Sequence, residues 1–153
     1  MIAIAIAQKS NLEEVTRLRF LAHKHGSIFD PDAVISRNTK RDLIELTKRE
    51  FEDPHIFFLL ARESNRVIGL AILSLSPETD HFAFLGELFV EEKYRGKGLG
   101  EQLVQKAVEL AKKQNIKNFR VTVARRNISA QKFYHKLGFH PKEREYLLFE
   151  KEL

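Results

Sequence analysis

The sequence predicts an α/β or α+β fold, a mixed sheet covered by helices, and three observations carry that expectation. Strand-like apolar runs and amphipathic helical stretches follow one another in the order βααβββαβαβ. Three strands are consecutive in the middle of the chain, whereas helices separate the strands of the second half. A basic, glycine-rich segment, Arg95-Gly96-Lys97-Gly98-Leu99-Gly100, falls between a strand and a helix.

The elements follow in order. Ile2 to Ala7 alternates isoleucine with alanine and reads as a strand. Ser10 and Glu13 have the spacing of a capping box that opens a first helix, with Val15, Leu18, Ala22 and His25 on one face, and the Gly26 to Pro31 stretch breaks it. A second helix fits Asn38 to Phe51, with Leu43, Ile44, Thr47 and Phe51 as its buried stripe; Pro54 marks its end, because the residue before a proline avoids helical geometry. Ile56 to Ala61 and Val67 to Leu75 are apolar runs joined by a polar turn at Ser64 to Arg66, hence a hairpin, and Pro77 to Asp80 is a further turn. Phe82 to Val90 is the next strand, and Leu103, Val104, Ala107, Val108 and Ala111 define the helix after the glycine loop. Phe119 to Ala124 is strand-like, Asn127 suits the N-cap of a short helix, and Gly138 suits the left-handed position after it. Tyr146 to Glu150 reads as a last strand.

The 153 residues suit one domain, 1–153, and the 43% hydrophobic content is ordinary for a globular chain. Ile2 to Ala7 is too short to span a bilayer and lacks the features of a secretory leader, so a cytoplasmic protein without membrane attachment is expected. The absence of cysteine excludes disulfides, thiolate metal sites and a cysteine nucleophile. The net charge of +5 comes from bases interleaved with acids, with no basic cluster of the kind that grips nucleic acid, and it favours a polyanionic ligand only slightly. The six histidines show no ligand spacing beyond the lone His23-x-His25 pair, so no metal is expected, and those two histidines receive no role.

The glycine loop is the informative segment. At a strand-to-helix junction, unpaired backbone N–H groups and the positive end of the helix dipole favour an anion, and glycines let the backbone approach a phosphate. Arg95 and Lys97 add charge. A Walker loop would need Ser or Thr after Gly96-Lys97, where Gly98 stands, and a dinucleotide fingerprint would need glycine where Glu101 stands. A tight turn that uses its glycines only for shape is the alternative.

With Arg95, Gly98 and Gly100 in the pattern Arg-x-x-Gly-x-Gly, the segment resembles the signature of the GNAT acetyltransferase superfamily. The resemblance runs upstream through Leu88-Phe89-Val90 and Tyr94, and downstream through a second block of Asn127, Ala130, Phe133, Tyr134 and Leu137-Gly138-Phe139. It covers Glu87 to Phe139 closely; the first half carries no diagnostic residue. It implies a mostly antiparallel sheet flanked by helices, with a splayed parallel strand pair that binds coenzyme A.

What the resemblance implies residue by residue is as follows. Arg95, Gly96, Lys97, Gly98, Leu99 and Gly100 would surround the pyrophosphate of acetyl-CoA, the co-substrate. The backbone of Leu88, Phe89 and Val90 would pair with the pantetheine arm, Asn127 would bond it, and Ala130 and Phe133 would pack beside it. An N–H at or near Val90 would polarise the thioester carbonyl. Tyr134 would give a proton to the leaving thiolate. Glu87, the sole acidic residue of the strand leading to the loop, is the candidate base; some relatives keep that group on the next strand, where Thr122 stands here and cannot take a proton. The implied activity is transfer of the acetyl group to a primary amine, small molecule or protein, by a monomer or homodimer. A non-catalytic acetyl-CoA sensor is the rival expectation. No sign dominates the charges of Leu21 to Asp53, so the acceptor is not legible in the sequence.

Overall fold

A computed structural model describes residues 1–30, 39–76, 81–142 and 151. Among the described residues its sheet has five strands in sequential order: β1 (Ile2–Ile6), β2 (Ile56–Glu63), β3 (Arg66–Ser76), β4 (Phe82–Val90) and β5 (Asn118–Val121). The pairs β1–β2, β2–β3 and β3–β4 are antiparallel and β4–β5 is parallel. Four helices complete the described chain: α1 (Leu12–Gly26), α2 (Thr39–Phe51), α3 (Leu99–Lys113) and α4 (Ile128–Lys136). The sequence order is therefore reproduced up to α4; the expected turn at Pro77 to Asp80 and the strand at Tyr146 to Glu150 lie outside the described residues.

Two apolar layers hold the sheet between its helices. On one face Leu59, Ala61, Ile68, Ala71, Leu73 and Leu85 meet Leu103, Val104, Ala107 and Ala111 of α3, with Phe133, Tyr134 and Leu137 of α4 packed at the margin. On the other, Phe58, Leu60, Val67, Leu70, Ile72 and Phe89 meet Val15 and Leu18 of α1, with Phe51 of α2 stacked on Phe58 at 4.4 Å between ring centroids. The core of β2 and β3 is buried on both faces, which explains why these strands are continuous apolar runs rather than alternating ones.

Two sequence expectations need correction. The opening of α1 is not a Ser10/Glu13 capping box: a short 3-10 turn, Lys9–Asn11, precedes the helix, and the Asn11 side-chain oxygen accepts the Gln8 N–H at 2.9 Å. Asn11 is itself a good turn and cap residue, and it takes the junction one position later. The second correction concerns β5, which stops at Val121 rather than Ala124. The β4–β5 register ends at Leu85↔Val121, while β4 itself runs on for five residues to Val90. Beyond Val121 the chain has no ladder partner on β4, so the strand conformation ends where the two strands part.

One irregularity decides which way β4 points. Between Ile72↔Glu87 and Leu73↔Leu85 the register slips by one residue, leaving Gly86 unpaired as a β-bulge. Ala83 and Leu85 before the bulge, and Leu88 and Val90 after it, all face α3. Phe89 faces α1, and Glu87, two residues away, shares that face. Without the extra residue the strand beyond Leu85 would be inverted.

Candidate active site

The opening between β4 and β5 exposes a backbone edge whose polarity follows from the ladder. Glu91 donates its N–H to the Ile68 carbonyl at 2.9 Å, so by the alternation of an antiparallel pair Phe89 and Glu87 also turn their N–H and C=O groups to β3. Leu88 and Val90 then point theirs the opposite way, into the gap. Of the three strand residues named from the sequence, Leu88 turns both backbone groups to the gap, Val90 has its N–H left to offer, and Phe89 offers none. Arg95 donates its Nε to the Val90 carbonyl at 2.8 Å and lies over the Phe89 ring, which ties the glycine loop to the strand end.

The loop itself is shaped as its composition requires. Glu92–Tyr94 forms one 3-10 turn, then Gly96 and Gly98 adopt φ of +74° and +77°, and Gly98 caps α3 in the left-handed region. A Cβ on either glycine would meet no atom within 4 Å, so nothing but backbone conformation excludes a side chain in the free protein. The first bond inside α3 runs from the Gln102 N–H to the Gly98 carbonyl, at 3.0 Å. The N–H groups of Leu99, Gly100 and Glu101 therefore have no acceptor within the helix and aim out of its positive end. Arg95 and Lys97 are exposed beside them. Such a cradle of free N–H groups beside two cations favours an anion.

Gly100 has a different task. A Cβ there would touch the Phe133 ring at 3.4 Å, so α4 packs against the start of α3 through this glycine. Asn127 caps α4, its Oδ1 accepting the Ala130 N–H at 3.0 Å, which leaves its amide nitrogen as the donor it can offer a ligand. Tyr134 sits between Phe133 and Phe139 in edge-to-face contacts at 5.0 and 5.4 Å, and burial pushes its phenol up to about 12. Such a phenol stays protonated across the neutral range, as a proton donor must.

On the other face of β4, Glu87 is the centre of an ion network that the sequence reading did not foresee. Arg19, with its side chain only 4% exposed, donates Nε and Nη2 to Glu87 Oε1 at 3.0 and 2.7 Å, and binds Thr47 at 2.8 Å and Glu50 through Nη1. His23 Nε2 lies 3.4 Å from the same Oε1, while Oε2 is buried without a partner among the described residues. Burial works to raise the Glu87 pKa, but the bonds from His23 and Arg19 and the Arg19 charge outweigh it and hold the carboxyl below its usual range. A signal was present: Val15, Arg19 and His23 form an i, i+4 row next to the apolar face of α1, and an arginine in such a row needs a buried acid. Thr122 is exposed just past the end of β5 and outside this network.

Near the same opening, His25 touches Phe29 and Phe89, and burial, then the Arg95 charge, lowers its pKa. A cleft of about 310 Å³ lies between Phe29 and Asp30 after α1 and Ala124, Arg125 and Arg126 after β5. Among the described residues no group of three or more His, Asp or Glu could hold a metal ion, and no helix is long and apolar enough to cross a membrane.

The splayed parallel pair and anion cradle coincide with a match to the family model described as acetyltransferase (GNAT) family, over residues 22–139. The chain belongs to the GNAT acetyltransferase family. An uncharacterized N-acetyltransferase of Methanocaldococcus jannaschii is 39% identical over 66 residues, 43% of this chain and 29% of that protein. A spermine/spermidine N(1)-acetyltransferase of Bacillus subtilis is 30% identical over 79 residues, 48% of this chain and 52% of that one. The matched stretches thus span about a third to a half of these relatives' own lengths. The GNAT fold extends further: the PaiA N-acetyltransferase from Thermoplasma acidophilum in complex with coenzyme A superposes with a TM-score of 0.77, at 23% identity, over 95% of this chain and 93% of that one.

Proposed function

We propose that the protein is an N-acetyltransferase that uses acetyl-CoA to acetylate a primary amine. The observation that carries this is the parting of β4 and β5 beyond Leu85↔Val121, directly beside the cradle at Gly96, Gly98 and the start of α3. A thioester on a phosphorylated, extended carrier needs both features: a slot with unpaired backbone groups for the arm, and an anion site for the pyrophosphate.

Acetyl-CoA supplies an acyl group already activated by its thiol leaving group. The Leu88 backbone groups and the Asn127 amide hold the arm, Ala130 and Phe133 close its side, and Leu99, Gly100, Arg95 and Lys97 balance the phosphate charge. The Val90 N–H, turned into the gap, is the donor suited to a developing oxyanion. Tyr134 holds a proton at its Oη for the sulfur. On the opposite side of β4 the cluster built around the Glu87 carboxylate serves removal of the proton from the incoming amine, which is mostly protonated at neutral pH. The name of the Bacillus subtilis relative supports an aliphatic amine as acceptor.

The absence of cysteine makes the test direct, since free thiol released from acetyl-CoA can be followed without background from the protein. Acetyl-CoA should raise the melting temperature, and a panel of polyamines, diamino acids, aminoglycosides and lysine peptides should include an acceptor that accelerates thiol release. Binding without transfer to any amine would leave a sensor, and no binding would overturn the reading.

A further inference from the structure

We infer that His23, not Glu87, takes the proton from the acceptor amine, and that Glu87 and Arg19 are positioning residues that fix its tautomer and orientation; this rests on the acetyltransferase reading above. The geometry disfavours Glu87 as the direct acceptor. Its Oε1 is occupied by two donors of Arg19, and its Oε2 is buried out of reach. A carboxylate locked to an arginine that is 4% exposed is also a weaker base than a free one. His23 stands one step further out, its side chain 39% exposed, where an amine can approach.

The hydrogen-bonding inventory then assigns the ring nitrogens. An ionised carboxylate only accepts, so the contact between His23 Nε2 and Glu87 Oε1 at 3.4 Å requires the proton on Nε2. The lone pair is left on Nδ1. This is the arrangement in which a carboxylate behind an imidazole sets its tautomer and favours the imidazolium once formed. Among the described residues the ion pairs of this network join Arg19 on α1 to Glu50 on α2 and to Glu87 on β4, with His23 against Glu87.

The protons balance. An ammonium loses its first proton to His23 Nδ1, the amine nitrogen bonds to the acetyl carbon, and the carbon–sulfur bond breaks with its electron pair staying on sulfur. Sulfur takes the Tyr134 proton, the new amide nitrogen returns its second proton to the Tyr134 oxygen, and the imidazolium releases its proton to solvent.

The pH profile of kcat/KM, measured with acetyl-CoA and the best acceptor of the amine panel, separates the two assignments. With His23 as acceptor, His23→Gln loses at least 100-fold at neutral pH and its acid limb no longer follows that of the wild type. Added imidazole restores part of the rate in His23→Ala. Glu87→Gln keeps an acid limb, because the imidazole that takes the proton is still present, and loses rate through the freed ring orientation. Acetyl-CoA affinity stays within a few-fold in all three. An unchanged limb in His23→Gln together with its loss in Glu87→Gln would return the role to Glu87 and overturn the inference. Ring nitrogen NMR of the wild-type protein gives a readout independent of the acceptor: an Nδ1–H tautomer also overturns it. Failure of acetyl-CoA to bind the wild type would instead defeat the acetyltransferase reading itself.

Discussion

Replacing Arg19 by methionine keeps much of its volume and removes the charge that neutralises Glu87 and Glu50. The side chain is 4% exposed and the two carboxylates 17% and 19%, so water can compensate little of the loss. Breaking a buried ion pair by deleting one partner costs about 3–5 kcal/mol, since the remaining charge is stranded. In a domain of this size each kcal/mol moves Tm by roughly 2–4 °C, so Arg19→Met should melt roughly 6–20 °C below the wild type. The pH dependence gives a sharper check. In the wild type the folded Glu87 pKa lies below its ordinary value of 4.5, so its contribution is fully present above 4.5 and is lost as pH falls through the depressed value. Without Arg19, His23 is left to oppose burial with less help, so that pKa moves up and the variant's stability deficit relative to wild type shrinks as pH falls from 7 toward 4. Calorimetry from pH 4 to 8 reads both effects. A loss below about 1 kcal/mol, the range of exposed ion pairs, or a deficit that does not change with pH, would refute the buried-network argument.

The remaining predictions concern the ligand site. Gly98→Val forces a β-branched residue to φ near +77°, which costs about 1–2 kcal/mol, and its side chain stands in the anion cradle; the acetyl-CoA-induced rise in Tm should vanish while circular dichroism shows the fold intact. Gly100→Ala places its Cβ at ordinary contact distance from Phe133, so isothermal titration should find acetyl-CoA affinity within a few-fold of wild type. Tyr134→Phe should lower kcat by ~10²- to 10⁴-fold with little change in acetyl-CoA affinity, and the wild type should show no phenol titration in its rate below about pH 10, because burial holds that group near 12. Glu91→Gln weakens contacts to Arg17 and Arg66, which are 40% and 55% exposed, and should cost on the order of 1 kcal/mol in urea unfolding, well under the Arg19 loss.

Sequence alone determined what depends on local spacing. Hydrophobic period placed the strands and helices up to α4, positive-φ glycines marked the cradle, and Asn127 marked a helix start, since each is fixed by contacts within a few residues. Arg95, Gly98 and Gly100 with the Asn127 block were enough to suggest the family. Tertiary structure alone decided the rest, because it depends on partners far apart in the chain. The Gly86 bulge, visible only against β3, turns Glu87 toward α1. Arg19 and His23 meet Glu87 across 68 and 64 residues, and no local pattern encodes that encounter. The end of β5 was misplaced for the same reason: Thr122, Val123 and Ala124 have strand propensity or tolerance, but a strand exists only where a partner offers hydrogen bonds, and β4 has parted from them by then.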